Sequence, residues 1–81
     1  MDDLNAGSRR SLGSILKFLR ARKGLTLREA GHSAGVDAGN LLRYENDVTM
    51  PSLDRAVRLA RVYGVTVNYL AAAIPELTEE A

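Results

Sequence analysis

Few side chains in this 81-residue sequence are suited to covalent or metal chemistry. His32 is the only histidine and there is no cysteine, so zinc sites and thiolate nucleophiles lack their usual residues. Glu29, Asp37 and Asp47 stand where helix caps or loop acids are expected, rather than as a carboxylate pair tuned for acid–base catalysis. The sequence therefore predicts a protein that is not an enzyme and that holds no metal, cofactor or small-molecule ligand.

Basic side chains are distributed unevenly along the chain, although the net charge is only +1. Positions 29–54 hold five acids against one arginine, and the last seven residues hold three glutamates and no base. Residues 9–28 hold no acid and seven bases, which are Arg9, Arg10, Lys17, Arg20, Arg22, Lys23 and Arg28. This basic block fits a surface that binds a polyanion, although charge runs are more often a solvated helix face.

The composition is that of one globular domain, with 46% apolar and 26% charged residues. The longest apolar run covers residues 70–74, which is too short to cross a bilayer, and the acidic N-terminus lacks the apolar stretch of a secretion signal. The absence of cysteine fits a reducing compartment. We expect a cytoplasmic protein with no membrane partner.

Apolar residues recur every three or four positions and predict five short helices, with no strand. These helices cover about residues 10–23, 27–34, 38–46, 53–63 and 67–74, and Thr26, Asp37, Ser52 and Thr66 are their predicted N-caps. The predicted domain covers residues 9–74, between a flexible arm at 1–8 and an acidic tail at 75–81. Its predicted buried residues are Leu12, Ile15, Leu16, Leu19, Leu41, Tyr44, Leu53, Ala56, Val57, Ala60, Tyr63, Val67, Leu70 and Ala71.

Two glycines mark a sharp corner between the second and third helices. Only residues 35–37 join these helices, so their axes are expected to cross at roughly 90–120°. Gly31 allows the two backbones to approach closely, and Gly35 can adopt the positive φ that the turn requires. Val36 and Leu41 are then expected to fill the inside of the corner. This pattern predicts a helix-turn-helix.

Residues 25–70 resemble the phage-repressor and Cro-like helix-turn-helix family, often called the XRE family. No single element is specific, but the ordered set at fixed spacing is. The matching elements are Gly24-Leu25-Thr26, Ala34-Gly35-Val36, Leu41, Arg43, Tyr44, Glu45, Pro51-Ser52-Leu53, Leu59-Ala60, Tyr63-Gly64-Val65 and Val67-Asn68-Tyr69-Leu70. The resemblance implies a compact all-α five-helix bundle of the lambda-repressor-like type. It also implies a regulator of transcription, more specifically a repressor, that binds double-stranded DNA in a sequence-specific manner.

The resemblance places the third helix in the major groove, with its N-terminal residues at the base edges. By position, the implied base contacts are Ala38, Gly39, Asn40, Leu42 and Arg43. Asn40 can pair with adenine and Arg43 with guanine, although Arg43 can also face solvent or a phosphate. Alanine and glycine depart from the long polar residues that are common at these positions in the family.

Phosphate contacts are implied for Arg9, Arg10, Lys23, Leu27 and Arg28. Leu27 replaces a glutamine that is common in the family, so its contribution is limited to the first-turn amides of the helix. The loop at 46–50 lacks the glycine and basic residues usual there, and Asp47 is expected to repel DNA. These departures predict modest affinity and a shallow dependence on salt.

Other basic residues have structural explanations. The family pattern pairs Arg20 with Glu45, an ion pair that positions the third helix, whereas Arg55, Arg58 and Arg61 are expected on a solvated face.

A homodimer is also expected, with Tyr69, Ala72, Ala73 and Ile74 at its interface; alternatively, Ile74 closes the core against the first helix. The competing function is a protein-binding module of the same fold, either antitoxin-like or a partner of another regulator, with weak or no specific DNA binding. Its apolar surface would consist of Leu27, Ala38, Gly39 and Leu42.

Overall fold

A computed structural model describes residues 11–74, which contain five helices and no strand. The predicted five-helix architecture is thereby confirmed for these residues. The predicted arm, Arg9, Arg10 and the acidic tail lie outside them. None of the five helices is long and apolar enough to cross a membrane. The helices are α1 (Leu12–Arg22), α2 (Leu27–Ala34), α3 (Ala38–Glu45), α4 (Leu53–Tyr63) and α5 (Val67–Ala71).

Each helix begins at a capping side chain. Thr26 and Glu29 form the predicted capping box of α2, in which the hydroxyl accepts the Glu29 amide at 3.0 Å and the carboxylate accepts the Thr26 amide at 2.9 Å. Ser52 and Thr66 cap α4 and α5 as predicted. Ser11, which had no predicted role, caps α1 through the Ser14 amide. Local sequence signals therefore set where the chain starts each helix.

The ends of three helices differ from the prediction. The N-cap Ser11 fixes the start of α1 after the predicted position, and α1 ends at Arg22 with Lys23 as its C-cap. Asn46 is the C-cap of α3 rather than its last residue. α5 ends at Ala71, although its helical pattern extends toward Pro75. The residues after Ala71 form a turn in which the Ala73 and Ile74 amides donate to Leu70 and Ala71, so backbone hydrogen bonding ends the helix before proline does.

The core is small and lies between all five helices. α1 packs against α3 and α5, α2 packs against α3 and α4, and α4 packs against α5. Leu16, Leu41 and Leu59 are the largest fully buried side chains. The other buried apolar residues are Leu12, Leu19, Ala30, Ala34, Val36, Tyr44, Ala60, Tyr63 and Leu70. Most of the predicted apolar face is therefore inside, although Ile15, Ala56, Val57, Val67 and Ala71 are only partly buried.

The prediction that Leu53 is buried was wrong, because the residue is 73% exposed. It follows Ser52 as the first residue of α4, and its three-residue spacing from Ala56 was the reason to predict burial. Burial fades toward this end of α4, since Ala56 and Val57 are partly buried whereas Leu59 and Ala60 are fully buried. The helical period was correct, but the first turn of α4 extends past the core.

The corner between α2 and α3 has the predicted construction. Gly35 has φ 70°, and the Val36 amide donates to the Gly31 carbonyl at 2.8 Å. A Cβ on Gly31 would collide with the Val36 carbonyl oxygen and would lie 3.6 Å from Ala38 Cα. Val36 and Leu41 are buried at this corner. The two helices can therefore approach closely only because residue 31 has no side chain.

Candidate nucleic-acid interface

The outer face of α3 carries the residues with predicted base contacts. Gly39, Leu42 and Arg43 are exposed, and Ala38 and Asn40 are partly buried. The opposite face of the helix holds Leu41, Tyr44 and Glu45, which are all buried. This division leaves the five predicted residues on the side of α3 that faces away from the core. We call Ala38, Gly39, Asn40, Leu42 and Arg43 the recognition face.

The recognition face offers little hydrogen-bonding chemistry. Asn40 and Arg43 carry its only side-chain donors, while Leu42 is 44% exposed and apolar. At the start of the helix, the Asp37 carboxylate accepts the Gly39 amide at 2.9 Å and the Asn40 amide at 3.4 Å. These two amides are therefore unavailable to an external anion. The recognition face therefore carries one charged side chain, that of Arg43, and few hydrogen-bonding groups.

The first turn of α2 keeps two amides free. Within residues 11–74, the Leu27 and Arg28 amides have no hydrogen-bond acceptor, whereas the Glu29 amide is taken by Thr26. The Leu27 side chain packs partly against the core, and Arg28 is exposed. A helix N-terminus with free amides attracts anions, although the Glu29 carboxylate beside it opposes this. Leu27 can thus contribute only through its backbone.

Lys23 lies elsewhere, at the C-terminal ends of α1 and α4. Its Nζ is 3.7 Å from the position that a Cβ of residue 64 would occupy, and it lines a cavity with Arg22 and Gly64. A cation at the C-terminal end of α4 is favourable, because the last carbonyl groups of a helix carry partial negative charge. The prediction that Lys23 binds phosphate stays a prediction, and Arg9 and Arg10 lie outside the described residues.

Arg20 and Glu45 form an ion pair beneath the recognition face. Arg20 Nε donates to Glu45 Oε2 at 2.7 Å, and Nη2 donates to Oε1 at 3.0 Å. A third donor, Nη1, reaches the Leu25 carbonyl at 2.9 Å, immediately before the N-cap of α2. Arg20 therefore joins α1, the start of α2 and the end of α3. The hydrogen bond to Glu45 raises the pKa of Arg20, while burial opposes this rise and the Coulombic attraction of Glu45 adds to it.

Asp47 has a structural role in addition to its place in the loop after α3. Its carboxylate accepts the Gly13 amide at 2.9 Å, so it caps the first turn of α1 as well as lying in the loop after α3. The residue has φ 60°, a left-handed conformation that Asp tolerates better than most side chains. The carboxylate therefore also stabilises the N-terminus of α1. It keeps its charge and the residue is exposed, so the repulsion of DNA by Asp47 stays a prediction.

Gly13 is a structural residue that the sequence analysis missed. A Cβ at this position would lie 2.5 Å from the carbonyl oxygens of both Tyr44 and Glu45. α1 and the end of α3 therefore touch through their backbones. The available signal was a glycine inside the apolar pattern of α1, between Leu12 and Leu16, since an isolated glycine in a helix often marks a close approach.

Arg55 also has a role that the prediction of a solvated face did not include. Its Nη1 donates to the Tyr44 hydroxyl at 2.8 Å, which links α4 to the buried side of α3. Arg58 pairs with Asp54 at 2.8 Å on the surface, and Arg61 is exposed. Of these three arginines, Arg55 is the one that contacts α3.

The residues predicted for a dimer interface are not equally available. Tyr69 and Ala72 are exposed, whereas Ala73 and Ile74 are partly buried and pack against the core. The contacts of Ala73 and Ile74 agree with the alternative in which this segment closes the core.

Large apolar side chains are also exposed on and after α3. Besides Leu42, they are Val48, Met50 and Leu53.

Comparison with known proteins gives two matches. A family described as helix-turn-helix matches residues 16–70. The HTH-type transcriptional regulator ImmR of Bacillus subtilis (strain 168) is 37% identical over 60 residues, which are 74% of this chain and 47% of ImmR. The chain thus spans about half the length of the curated relative that it matches. No solved structure gave a significant match.

Proposed function

The chain belongs to the helix-turn-helix family, and on that premise we propose that it binds double-stranded DNA and regulates transcription. The observation that carries this proposal is the division of α3 into a buried face and an outward recognition face. In this family of folds the second helix of the motif lies in the major groove. The 37% identity to a protein named as an HTH-type transcriptional regulator adds support.

In the proposed complex, Arg43 contacts guanine and Asn40 contacts adenine, while Ala38 and Leu42 touch thymine methyl groups. Gly39 lets the helix approach the bases closely. Arg28 and the free amides of Leu27 and Arg28 hold a phosphate, and Arg9, Arg10 and Lys23 supply further positive charge. Binding in this arrangement depends more on the fit of α3 in the groove than on many hydrogen bonds.

The direct test is selection of bound sites from random duplexes, followed by binding titrations with the selected site. Arg43→Ala should relax the preference at one base pair and weaken binding to the selected site about tenfold. The matched control is Arg61→Ala, which removes an exposed arginine from α4, outside the predicted contacts. No enriched site, or equal effects of the two substitutions, would contradict the proposed contact.

The salt dependence of the same titrations tests the phosphate contacts. Log affinity should fall with log salt concentration at about −0.9 per neutralised phosphate, and the few available cations imply a shallow slope. Arg28→Ala should reduce this slope by about one while leaving the sequence preference unchanged. A steep slope for the wild-type protein would show that cations outside the proposed set contact the backbone.

We propose further that the chain acts as a homodimer, because two half-sites roughly 34–36 Å apart give more specificity than one small module. Tyr69 and Ala72 are the exposed members of the proposed interface. Sedimentation of Tyr69→Lys and of Leu53→Lys would distinguish this interface from the exposed apolar residues Val48, Met50 and Leu53, between the end of α3 and the start of α4. Dissociation by the Leu53 substitution alone would move the interface to those residues.

A second function, binding of a regulatory protein partner, is supported by one observation. Leu42, Val48, Met50 and Leu53 expose apolar surface on and after α3, where DNA contacts would favour basic residues. Leu27 and Ala38 add less to such a surface than expected, because both are partly buried. Failure of the protein to be retained on duplex DNA at low salt would favour this second function.

A further inference from the structure

A cavity of about 250 Å³ opens where the C-terminal ends of α1 and α4 meet. Leu19 and Tyr63 are its buried residues, whereas Arg22, Lys23 and Gly64 are exposed and complete its lining. No acidic side chain is among these lining residues. The cavity therefore combines buried apolar surface with two cations at its edge, and we call it the basic cavity.

Positive charge at the basic cavity is not neutralised by the described part of the chain. Among residues 11–74, ion pairs are formed by Arg20 and Arg58 but not by Arg22 or Lys23. The Arg22 guanidinium lies 5.9 Å from the centre of the Phe18 ring, a cation–π contact that uses none of its hydrogen-bond donors. The carbonyl groups at the two helix ends attract these cations only through partial charges. Both cations can therefore still pair with an anion.

Gly64 leaves space beside one of these cations. Lys23 Nζ is 3.7 Å from the position that a Cβ of residue 64 would occupy. Gly64 ends α4 with φ 74°, a conformation that residues with a side chain rarely adopt. The glycine that terminates the helix thus also leaves room for a ligand atom next to the ammonium group.

We propose that the basic cavity binds a small organic carboxylate whose apolar part is about the size of one aromatic ring. The carboxylate pairs with Arg22, whose planar guanidinium matches its geometry, and with Lys23. The ring lies against Leu19 and Tyr63. Two cations alone would attract any anion, whereas burial of the ring favours an anion with an apolar part. The volume is below the roughly 300–1,000 Å³ of pockets for drug-sized ligands, which limits the size of the ligand.

This site could not be predicted from residue types alone. The sequence analysis predicted no small-molecule ligand, because the sequence contains no recognisable ligand-binding motif. The lining residues come from two separate segments, 19–23 and 63–64, which the packing of the helix ends brings together.

Binding of the carboxylate has a consequence that rests on the proposed function. Lys23 is one of the cations proposed to face phosphate, and a carboxylate beside it would compete with DNA. Occupation of the cavity would then weaken DNA binding and reduce its salt slope by about one. The sequence preference would stay the same, because no residue of the recognition face lines the basic cavity.

The test is an amide-resolved NMR titration of the full chain with sodium benzoate, without DNA and at constant ionic strength. The signals of the five lining residues should shift along one saturation curve. We expect a Kd of about 1–10 mM, since exposed cations form weak pairs. Acetate, which lacks the ring, and inorganic phosphate should both bind at least about tenfold more weakly, because neither buries apolar surface.

Substitutions at the edge of the cavity test the role of the cations. Arg22→Gln and Lys23→Gln change exposed side chains and should fold as wild type does. Each should raise the Kd for benzoate about tenfold, because a charge-assisted hydrogen bond is lost. The matched control is Lys17→Gln, which removes an exposed cation of α1 that does not line the cavity and should leave the Kd unchanged.

Three results would overturn the proposal. One is equal binding of benzoate, acetate and phosphate, which would mean that the cavity attracts any anion. The second is a titration that does not saturate, and the third is an equal effect of Arg22→Gln and Lys17→Gln. These outcomes are independent of DNA. Saturable benzoate binding by a protein that is not retained on duplex DNA would instead contradict the proposed function alone.

Discussion

The two ends of α3 differ sharply in how they use polar groups. At the C-terminal end, Glu45 binds Arg20 at 2.7 Å, Asp47 binds the Gly13 amide at 2.9 Å and Tyr44 accepts from Arg55 at 2.8 Å. The N-terminal end presents Ala38, Gly39 and Asn40, and its only polar bonds from a side chain come from the Asp37 cap. The anchored end is rich in directed interactions, and the recognition end is poor in them.

This difference separates the residues that hold α3 in place from those that are proposed to bind DNA. Three hydrogen-bonded contacts join the end of α3 and the loop after it to α1 and α4, and so hold α3 against the core. The recognition face can then rely on close approach and on Arg43, which lies in the last turn of α3, since a rigid helix loses little entropy on binding. Substitutions at the anchored end should therefore change stability, whereas substitutions at the recognition end should change only binding.

The largest effect is expected for Arg20→Ala. It leaves the Glu45 side chain, which is 1% exposed, without its cationic partner. Breaking a buried pair in this way costs about 3–5 kcal/mol, measured as the free energy of unfolding in urea. The matched control is Asp54→Asn, which breaks an exposed pair and should cost no more than about 1 kcal/mol. Similar losses for both variants would show that Arg20 does not anchor α3.

Gly13→Ala tests the backbone contact between α1 and α3. The new Cβ would lie 2.5 Å from the Tyr44 and Glu45 carbonyl oxygens, so the helices must separate. We expect a loss of about 1–3 kcal/mol in the free energy of unfolding. Lys17→Ala, at an exposed position of the same helix, serves as the control. An unchanged stability of Gly13→Ala would mean that the end of α3 is free to shift.

Asn40→Ala tests the recognition end. The substitution should remove a preference for adenine and weaken binding to the selected site by about 1–3 kcal/mol. The free energy of unfolding should change by less than about 0.5 kcal/mol, because the Asn40 amide keeps its bond to Asp37. A loss of stability comparable to that of Gly13→Ala would remove the distinction between the two ends.

The smallest effect at neutral pH is expected for Tyr63→Phe. The Tyr63 hydroxyl is buried without a hydrogen-bond partner among residues 11–74, so its removal should leave stability equal or higher by about 1 kcal/mol. Burial, and then the nearby Glu45 charge, raise the pKa of Tyr63 from 10.0 to about 12, against a lowering by Arg20. The folded state therefore keeps a proton that the unfolded chain loses above pH 10.

The raised pKa of Tyr63 also determines how stability changes with pH. A raised pKa contributes stability that is complete below pH 10 and is lost as pH rises toward 12. The free energy of unfolding should fall less steeply between pH 10 and 12 for Tyr63→Phe than for wild type. Tyr69→Phe, which changes an exposed tyrosine, should keep the wild-type slope. Equal slopes for all three proteins would place the alkaline transition elsewhere.

The helices, four of their five N-caps and the corner were predictable because their signals are local. Thr26 with Glu29, Ser52 and Thr66 act on amides two or three residues away, and Gly35 acts on its own φ. Apolar spacing then assigned most of the core. The Arg20–Glu45 pair was predicted only from the family resemblance, since 25 residues separate the partners.

The sequence by itself determined which segments are helical, where four of the five begin and which face is apolar, because these depend on interactions within one or two turns. Only the tertiary structure decided that Asp47 caps α1, that Gly13 meets the end of α3, that Leu53 lies beyond the core and that Lys23 lies beside Gly64. The physical reason is that these four outcomes depend on how far apart the helix axes lie and how far each helix extends past its neighbours. The spacing of residues along the chain does not determine those distances.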